Sequence, residues 1–134
     1  MLLAVVMVLG ILPVTAFADT SDMNVIEPDS WYSILLPQNA SDELQNAAEE
    51  LNLFLDEITG ITLPIVTDDG SMTADGCYVS FGNTSVFCES GYSADGLEAE
   101  ASVVKTYSDS ILLYGGSDVG VTYAMYELLE HWFD

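Results

Sequence analysis

The residues most suggestive of chemistry lie near the end of the chain, where Gly-Gly-Ser-Asp-Val-Gly at 115–120 joins an apolar run to a helical pattern. Backbone N–H groups in such a turn can cradle a phosphate. Gly115 and Gly120 have the spacing of a P-loop, but Val121 stands where a lysine must neutralise the phosphate. Ser117 stands where the dinucleotide-binding fingerprint requires a glycine. We therefore expect no phosphate or nucleotide site at this turn.

A structural role explains the same turn better. Gly115 and Gly116 can supply the tight connection between a strand and a helix. Ser117 or Asp118 is expected to cap the helix, since both side chains accept hydrogen bonds from free backbone N–H groups. Gly120 would then allow the first turn of the helix to approach the sheet closely.

Other residue types that carry chemistry are present without the spacing that chemistry needs. His131 is the only histidine, and no His-Glu-x-x-His zinc motif occurs. Asp-Asp-Gly-Ser at 68–71 lacks the alternating acids of a calcium loop and is typical of a turn. Glu127 and Glu130 lie one helical turn apart and are interpreted as surface acids or as contacts to further sequence. We predict no catalytic, cofactor-binding or metal-ligating residue and no cofactor in this chain.

Cys77 and Cys88 are the only cysteines. If Gly82 and Asn83 formed a two-residue hairpin turn, the two cysteines would face each other across the ladder and could form a structural disulfide. A longer connection after Gly82 would break that register. The sequence leaves both arrangements open.

The elements that must position these residues follow from hydrophobic period and turn chemistry. Strands are predicted at 31–36, 63–66, 78–81, 101–107 and 110–114, the last two forming a hairpin that turns at Ser108 and Asp109. Ser41 and Gly60 bound the best-defined helix as N-cap and C-terminal stop. Its expected core residues recur at helical spacing: Leu44, Ala47, Ala48, Leu51, Leu55 and Ile58.

A second helix is predicted after the glycine turn. Its expected buried residues are Val121, Met125, Leu128, Leu129 and Trp132, and further apolar surface is expected near Trp132 and Phe133. The predicted order is β-α-β-β-β-β-α. This order favours an α+β fold in which two main helices pack on a mixed sheet of about four to five strands.

Charge and composition restrict the class of partner. The chain has 22 acidic residues against a single Lys or Arg, Lys105, and a net charge of −21. Such a surface repels phosphate backbones and anionic lipid, so nucleic acid and membrane surfaces are disfavoured as partners. The hydrophobic half of the composition argues against disorder.

The first residues have the character of an export signal. Residues 1–18 carry no charge, and Ala-Phe-Ala at 16–18 fits the small-x-small pattern of signal peptidase sites. Most signal peptides have a Lys or Arg before the apolar segment, whereas this chain has none there. We expect a signal peptide at 1–18, a leader at 19–30 and one domain at 31–134 in a secreted or cell-surface protein.

The order and spacing of several short stretches characterise the chain after residue 30. They are Ile-Leu-Leu-Pro at 34–37, Ala-Ala-Glu-Glu-Leu at 47–51, and the segments 58–65, 79–84, 91–97, 111–116 and 120–130. In this order they resemble the small α/β domain that precedes the catalytic barrel of some glycoside hydrolases. The family 67 α-glucuronidases and the family 20 β-hexosaminidases are examples. The resemblance implies a domain without a catalytic acid, because in these families the acid, base or nucleophile lies in the (β/α)8 barrel that follows.

The function expected from this resemblance is that of a non-catalytic N-terminal domain of an exported glycoside hydrolase, truncated before its barrel. Its main partner would be the downstream barrel, with carbohydrate as a further ligand. One alternative is a freestanding extracellular module that binds a glycan or a protein, with Trp132 or exposed tyrosines stacking on sugars. A complete small hydrolase is disfavoured because no histidine-based site is evident.

Overall fold

A computed structural model of the protein describes residues 32–133. The predicted signal peptide, the leader and Trp31 lie outside the described residues. The strands are β1 Ser33–Leu36, β2 Ile65–Thr67, β3 Tyr78–Phe81, β4 Ser102–Tyr107 and β5 Ser110–Gly115. The α-helices are α1 Asp42–Thr59, α2 Ser85–Ser90 and α3 Asp118–Phe133, and Ala74–Gly76 forms a short 3-10 helix.

The strands form one mixed sheet in the order β2-β1-β3-β5-β4. β1 pairs in parallel with β2 and β3, and β3 pairs in parallel with β5. β4 and β5 are antiparallel and form the predicted hairpin, whose turn residue Ser108 has a φ of 54°. The sheet and its helices confirm the predicted α+β class.

Helix α1 forms where local signals and hydrophobic period agree. The Ser41 hydroxyl accepts a hydrogen bond from the Leu44 N–H at 3.2 Å, and Gly60 closes the helix with a φ of 77°. One stripe is buried against the sheet, as predicted: Leu44, Ala47, Ala48, Leu51 and Leu55. Ile58 was also predicted to lie in this core, and that prediction is wrong, because its side chain is 55 % exposed.

The second predicted strand is displaced by two residues. The sequence predicts 63–66, whereas β2 is Ile65–Thr67. Leu63 instead bonds to the Asn52 side chain, which accepts from the Leu63 N–H and donates to the Leu63 carbonyl, both at 2.8 Å. The backbone of Leu63 is therefore satisfied by helix α1 and not by the sheet.

Helices α1 and α3 cover the same face of the sheet, where they enclose the larger core. Side chains from β1, β3, β4 and β5 meet the two helices there, among them Ile34, Val79, Phe81, Val104, Ile111 and Leu113. From α3, Val121, Met125 and Leu128 are buried as predicted, whereas Leu129 and Trp132 are only half-buried. We call α1 and α3 on this face of the sheet the helical layer.

The opposite face has a smaller core, and part of its cover was not predicted. Leu35, Leu112 and Tyr114 pack there under Val86 and Phe87 of α2. The sequence predicts no helix between β3 and β4, yet α2 occupies Ser85–Ser90. Six residues are too few for a helical period to be recognised, and non-local contacts from Asp68 hold this helix in place.

Candidate functional site

Two polar side chains meet where β1 and β5 end, at the carboxyl edge of the parallel strands. Open α/β sheets commonly bind ligands at this edge. Ser41, which caps α1, donates its hydroxyl to Asp118 Oδ2 at 2.6 Å. Asp118 is the first residue of α3, so this bond ties the starts of the two long helices together. The Ser41 hydroxyl and the Asp118 carboxylate are therefore both engaged where the two helices begin.

The same edge holds a second polar group around the start of α2. Asp68 is only 6 % exposed, and its carboxylate accepts from the Ser85 N–H at 2.6 Å and from the Ser85 hydroxyl at 2.8 Å. It also accepts from the Gly70 N–H at 2.8 Å. The buried hydroxyls of Ser80 and Thr84 bond to each other at 2.7 Å. These contacts anchor α2 and leave little hydrogen-bonding capacity for a ligand.

The glycine turn is a packing device, as the sequence indicates. A Cβ at Gly116 would lie 1.9 Å from the Glu98 carbonyl oxygen, and one at Gly120 would lie 2.2 Å from that of Ala101. The segment before β4 therefore packs directly on the turn and on the first turn of α3. Ser117 precedes α3, and its hydroxyl donates to the Ala99 carbonyl at 2.6 Å, which ties the turn to the segment before β4.

The two cysteines are free thiols. Cys77 precedes β3 with a φ of 61°, and Cys88 lies exposed within α2. The hairpin that would have placed the two cysteines opposite each other does not form. β3 pairs with β1 and β5 instead, and α2 follows Gly82. The arrangement with a longer connection is the one adopted.

The acidic pair on α3 does not converge. Glu127 Oε1 accepts a hydrogen bond from Ser102 of the edge strand β4 at 3.0 Å, whereas Glu130 lies on the side of α3 that faces α1. Within residues 32–133, no three His, Cys, Asp or Glu side chains are grouped so as to hold a metal ion.

The one basic side chain is held on the face opposite α1 and α3. Lys105 Nζ lies 4.9 Å from the centroid of the Tyr92 ring, a cation–π contact. Tyr92 also stacks on Tyr114 with ring centroids 6.4 Å apart and meets Tyr107 edge-on. These contacts of Tyr92 hold the segment 91–101 against the sheet.

An apolar groove lies between the last turns of α1 and α3. It encloses about 530 Å³ and is lined by Phe54, Ile58, Tyr126, Leu129, Glu130 and Phe133. We call it the α1–α3 groove. Pockets lined mainly by apolar side chains, including those between helices, are common binding sites. It is the candidate functional site.

Element lengths explain why the groove exists. Helix α1 has 18 residues and β1 has four. At about 1.5 Å per helical residue and about 3.3 Å per strand residue, the helix is about 27 Å long against about 13 Å for the strand. Helix α1 starts at the carboxyl edge and runs back along β1, so its last turn extends past that strand. Ile58, in this last turn, is consequently exposed although it continues the apolar stripe.

Polar groups around the groove are acidic. The Tyr126 hydroxyl donates to the Glu50 carboxylate, lying 2.9 Å from each oxygen, and this bond raises the pKa of Tyr126. Glu130 lies in the groove wall, and Glu57 is exposed beside Ile58. Burial lowers the pKa of His131, which precedes Trp132 near the end of α3.

The end of α3 has a further unsatisfied group. Trp132 packs against the core of the helical layer and meets Phe133 edge-on at 6.3 Å. Its indole Nε1 is buried and has no acceptor among residues 32–133. A buried donor without an acceptor costs about 1–3 kcal/mol, so an additional contact at this end of the helix would be stabilising.

The sequence predicts only part of this groove. Exposed apolar surface near Phe133 was expected, and the half-buried Phe133 does line the groove. Phe54 was not recognised as a functional residue, and Ile58 was assigned to the core. The spacing of Phe54 and Ile58, four residues apart at one border of the core stripe, was the available signal.

No known protein family and no curated protein sequence matches this chain. The likeness to glycoside hydrolase domains therefore rests on the sequence stretches given above. Over residues 32–133, no helix combines the length and hydropathy needed to cross a membrane.

Proposed function

We propose that this chain is a non-catalytic accessory domain of an exported carbohydrate-active enzyme and that it packs against the catalytic domain through the α1–α3 groove. The observation that carries the proposal is the groove itself: Phe54, Ile58 and Phe133 form an apolar surface that the fold leaves open. Domains that pack on a neighbour within one chain bury surfaces of this kind.

The polar groups support a non-catalytic role. Glycoside cleavage needs two carboxyl groups about 5 to 10 Å apart across a cleft, one of them with a raised pKa. Asp68 and Asp118 are engaged at helix starts, and Glu127 and Glu130 face different neighbours. None of these acids lies with another across a sugar-sized cleft.

The resemblance to the domain that precedes the barrel of family 67 and family 20 hydrolases supplies the carbohydrate part of the proposal. On this reading the chain braces a (β/α)8 barrel and shapes one rim of its cleft. Export would follow cleavage after Ala18, and the acidic surface would keep the mature protein away from nucleic acid and anionic membranes.

Activity assays test the proposal. The full chain, alone and as part of the protein produced from its complete reading frame, is assayed against aryl glycosides of glucuronic acid, N-acetylglucosamine and neutral sugars. We expect turnover only by the longer protein. Turnover by the 134-residue chain that disappears in Glu127→Gln or Glu130→Gln would overturn the proposal and place an active site on α3.

A freestanding glycan- or protein-binding module is the second candidate, and two exposed rings on α3 favour it. Tyr123 and Tyr126 are 42 % and 37 % exposed and could stack on sugar rings. A stop codon directly after codon 134, together with glycan binding that Tyr123→Ala abolishes, would favour this module over the accessory domain.

A further inference from the structure

The α1–α3 groove has the form of a site for a helix and not of a small-molecule pocket. Helices α1 and α3 both follow strands that run in parallel, so the two helices run in the same direction with the groove between their last turns. Small-molecule sites combine apolar walls with a few convergent polar groups. Here the Tyr126 hydroxyl is already bonded to Glu50, which leaves Glu130 as the free polar group of the wall. Amphipathic helices commonly dock their apolar face into hydrophobic grooves of this kind.

The charges around the α1–α3 groove indicate which kind of amphipathic helix would bind there. Glu130 lines the groove, Glu50 accepts a hydrogen bond from its Tyr126, and the exposed Glu57 directly precedes Ile58 in α1. The chain contains one Lys or Arg, and that residue, Lys105, is held over Tyr92 on the opposite face of the sheet. Among residues 32–133, no Lys or Arg therefore balances the acids at the border of the groove.

We infer that the occupant of the α1–α3 groove is an amphipathic helix of a partner domain whose apolar stripe is flanked by Lys or Arg. The apolar stripe would pack on Phe54, Ile58 and Phe133, and the flanking cations would face Glu57 and Glu130. This inference rests on the proposed function and names the chemistry of the partner surface.

A second copy of this chain is the poorest occupant. Each copy has a charge of −21, so a contact between two grooves would bring two acidic borders together. Like charges juxtaposed at an interface cost free energy, and opposite charges both speed association and select the partner.

Matched synthetic helices test the inference. One labelled peptide has leucines at helical spacing flanked by lysines, the second replaces each lysine by glutamate, and the third has the lysine composition in scrambled order. Binding to the full chain is measured by fluorescence anisotropy at about 50 mM and about 500 mM salt, where screening differs strongly. We expect the ordered lysine peptide to bind about tenfold more tightly than either other peptide at low salt and to lose most of that advantage at high salt.

Matched variants locate the binding. Ile58→Ser removes a groove residue that is 55 % exposed, and Ile65→Ser removes an isoleucine on the edge strand β2 that is 42 % exposed. We expect Ile58→Ser to weaken binding of the lysine peptide about tenfold and Ile65→Ser to leave it unchanged. Glu130→Gln should weaken binding about two- to threefold, and the exposed Glu100→Gln should not. Circular dichroism verifies that each variant is folded.

The outcomes separate this inference from the proposed function. Equal binding of lysine and glutamate peptides, with dependence on Ile58 retained, would overturn the basic partner while leaving an apolar docking surface. Equal effects of Ile58→Ser and Ile65→Ser would show that the lysine peptide binds the acidic surface at large and would also overturn the inference. Turnover by the chain alone would overturn the proposed function whatever the peptides do.

Discussion

The carboxyl edge of the sheet and the α1–α3 groove differ in how completely their groups are paired. At the carboxyl edge Ser41 bonds to Asp118 and Asp68 bonds to Ser85, so buried oxygens are used to fix where helices begin. In the groove Ile58 and Phe133 are partly exposed, and the nearby Trp132 Nε1 has no acceptor among the described residues. Topology alone would have placed a site at the carboxyl edge. The partly exposed apolar side chains of the groove instead put the candidate site at the other end of the helices.

The largest contrast is expected within α1 itself. Leu55→Ala should lower the free energy of unfolding by about 2–5 kcal/mol, because Leu55 is buried between the helix and the sheet. Ile58→Ala, three residues later, should change it by no more than about 0.5 kcal/mol, because the side chain is more than half exposed. Urea unfolding of the full chain measures both. Similar losses for the two variants would mean that Ile58 belongs to the core and that the groove is closed in solution.

The glycine turn at the carboxyl edge should resist substitution even where helix propensity favours it. Gly120→Ala would gain about 1 kcal/mol from propensity. Its Cβ would, however, meet the Ala101 carbonyl oxygen at 2.2 Å, and overpacking of this kind costs about 1–3 kcal/mol or more. We expect a net loss of about 2 kcal/mol in urea unfolding. The control is Gly91→Ala, where no atom lies within 4 Å and only the positive φ of 79° opposes alanine. A stabilised Gly120→Ala variant would refute the close packing.

The smallest of the three effects tests the pairing of polar groups. Asp68→Ala leaves the Ser85 and Gly70 N–H groups without their acceptor and should cost about 1–2 kcal/mol. Its neighbour Asp69 is exposed and bonds only within its own turn, so Asp69→Ala should cost less than about 0.5 kcal/mol. Thermal unfolding of the two variants side by side provides the measurement. If Asp68→Ala left thermal unfolding unchanged, the Asp68 carboxylate would not be needed for stability and would be available to a ligand at the carboxyl edge.

Local signals in the sequence account for much of the fold. Ser41 and Gly60 define α1, the apolar stripe from Leu44 to Leu55 defines its buried side, and the turn at Ser108 defines the hairpin. The α2 helix could not be predicted in this way, because it has six residues and its start is held by Asp68, 17 residues earlier in the chain.

The groove was less predictable for a different physical reason. The period of α1 places Ile58 with the core residues, but its exposure depends on where β1 begins relative to the last turn of the helix. That offset is a property of the assembled layers and not of the helix sequence. The role of Ser117 was missed for the same reason, since its acceptor, the Ala99 carbonyl, comes from another segment.

Site-specific cross-linking tests directly whether the α1–α3 groove is a docking surface. A photoreactive amino acid is placed at position 58 or, as a matched control, at position 65 in the protein produced from its complete reading frame. After irradiation, cross-linked peptides are mapped by mass spectrometry. Position 58 is expected to cross-link to a helix rich in Lys or Arg that lies outside residues 1–134, and position 65 is not. Cross-links from position 58 confined to residues 1–134, or equal yields from both positions, would contradict this expectation.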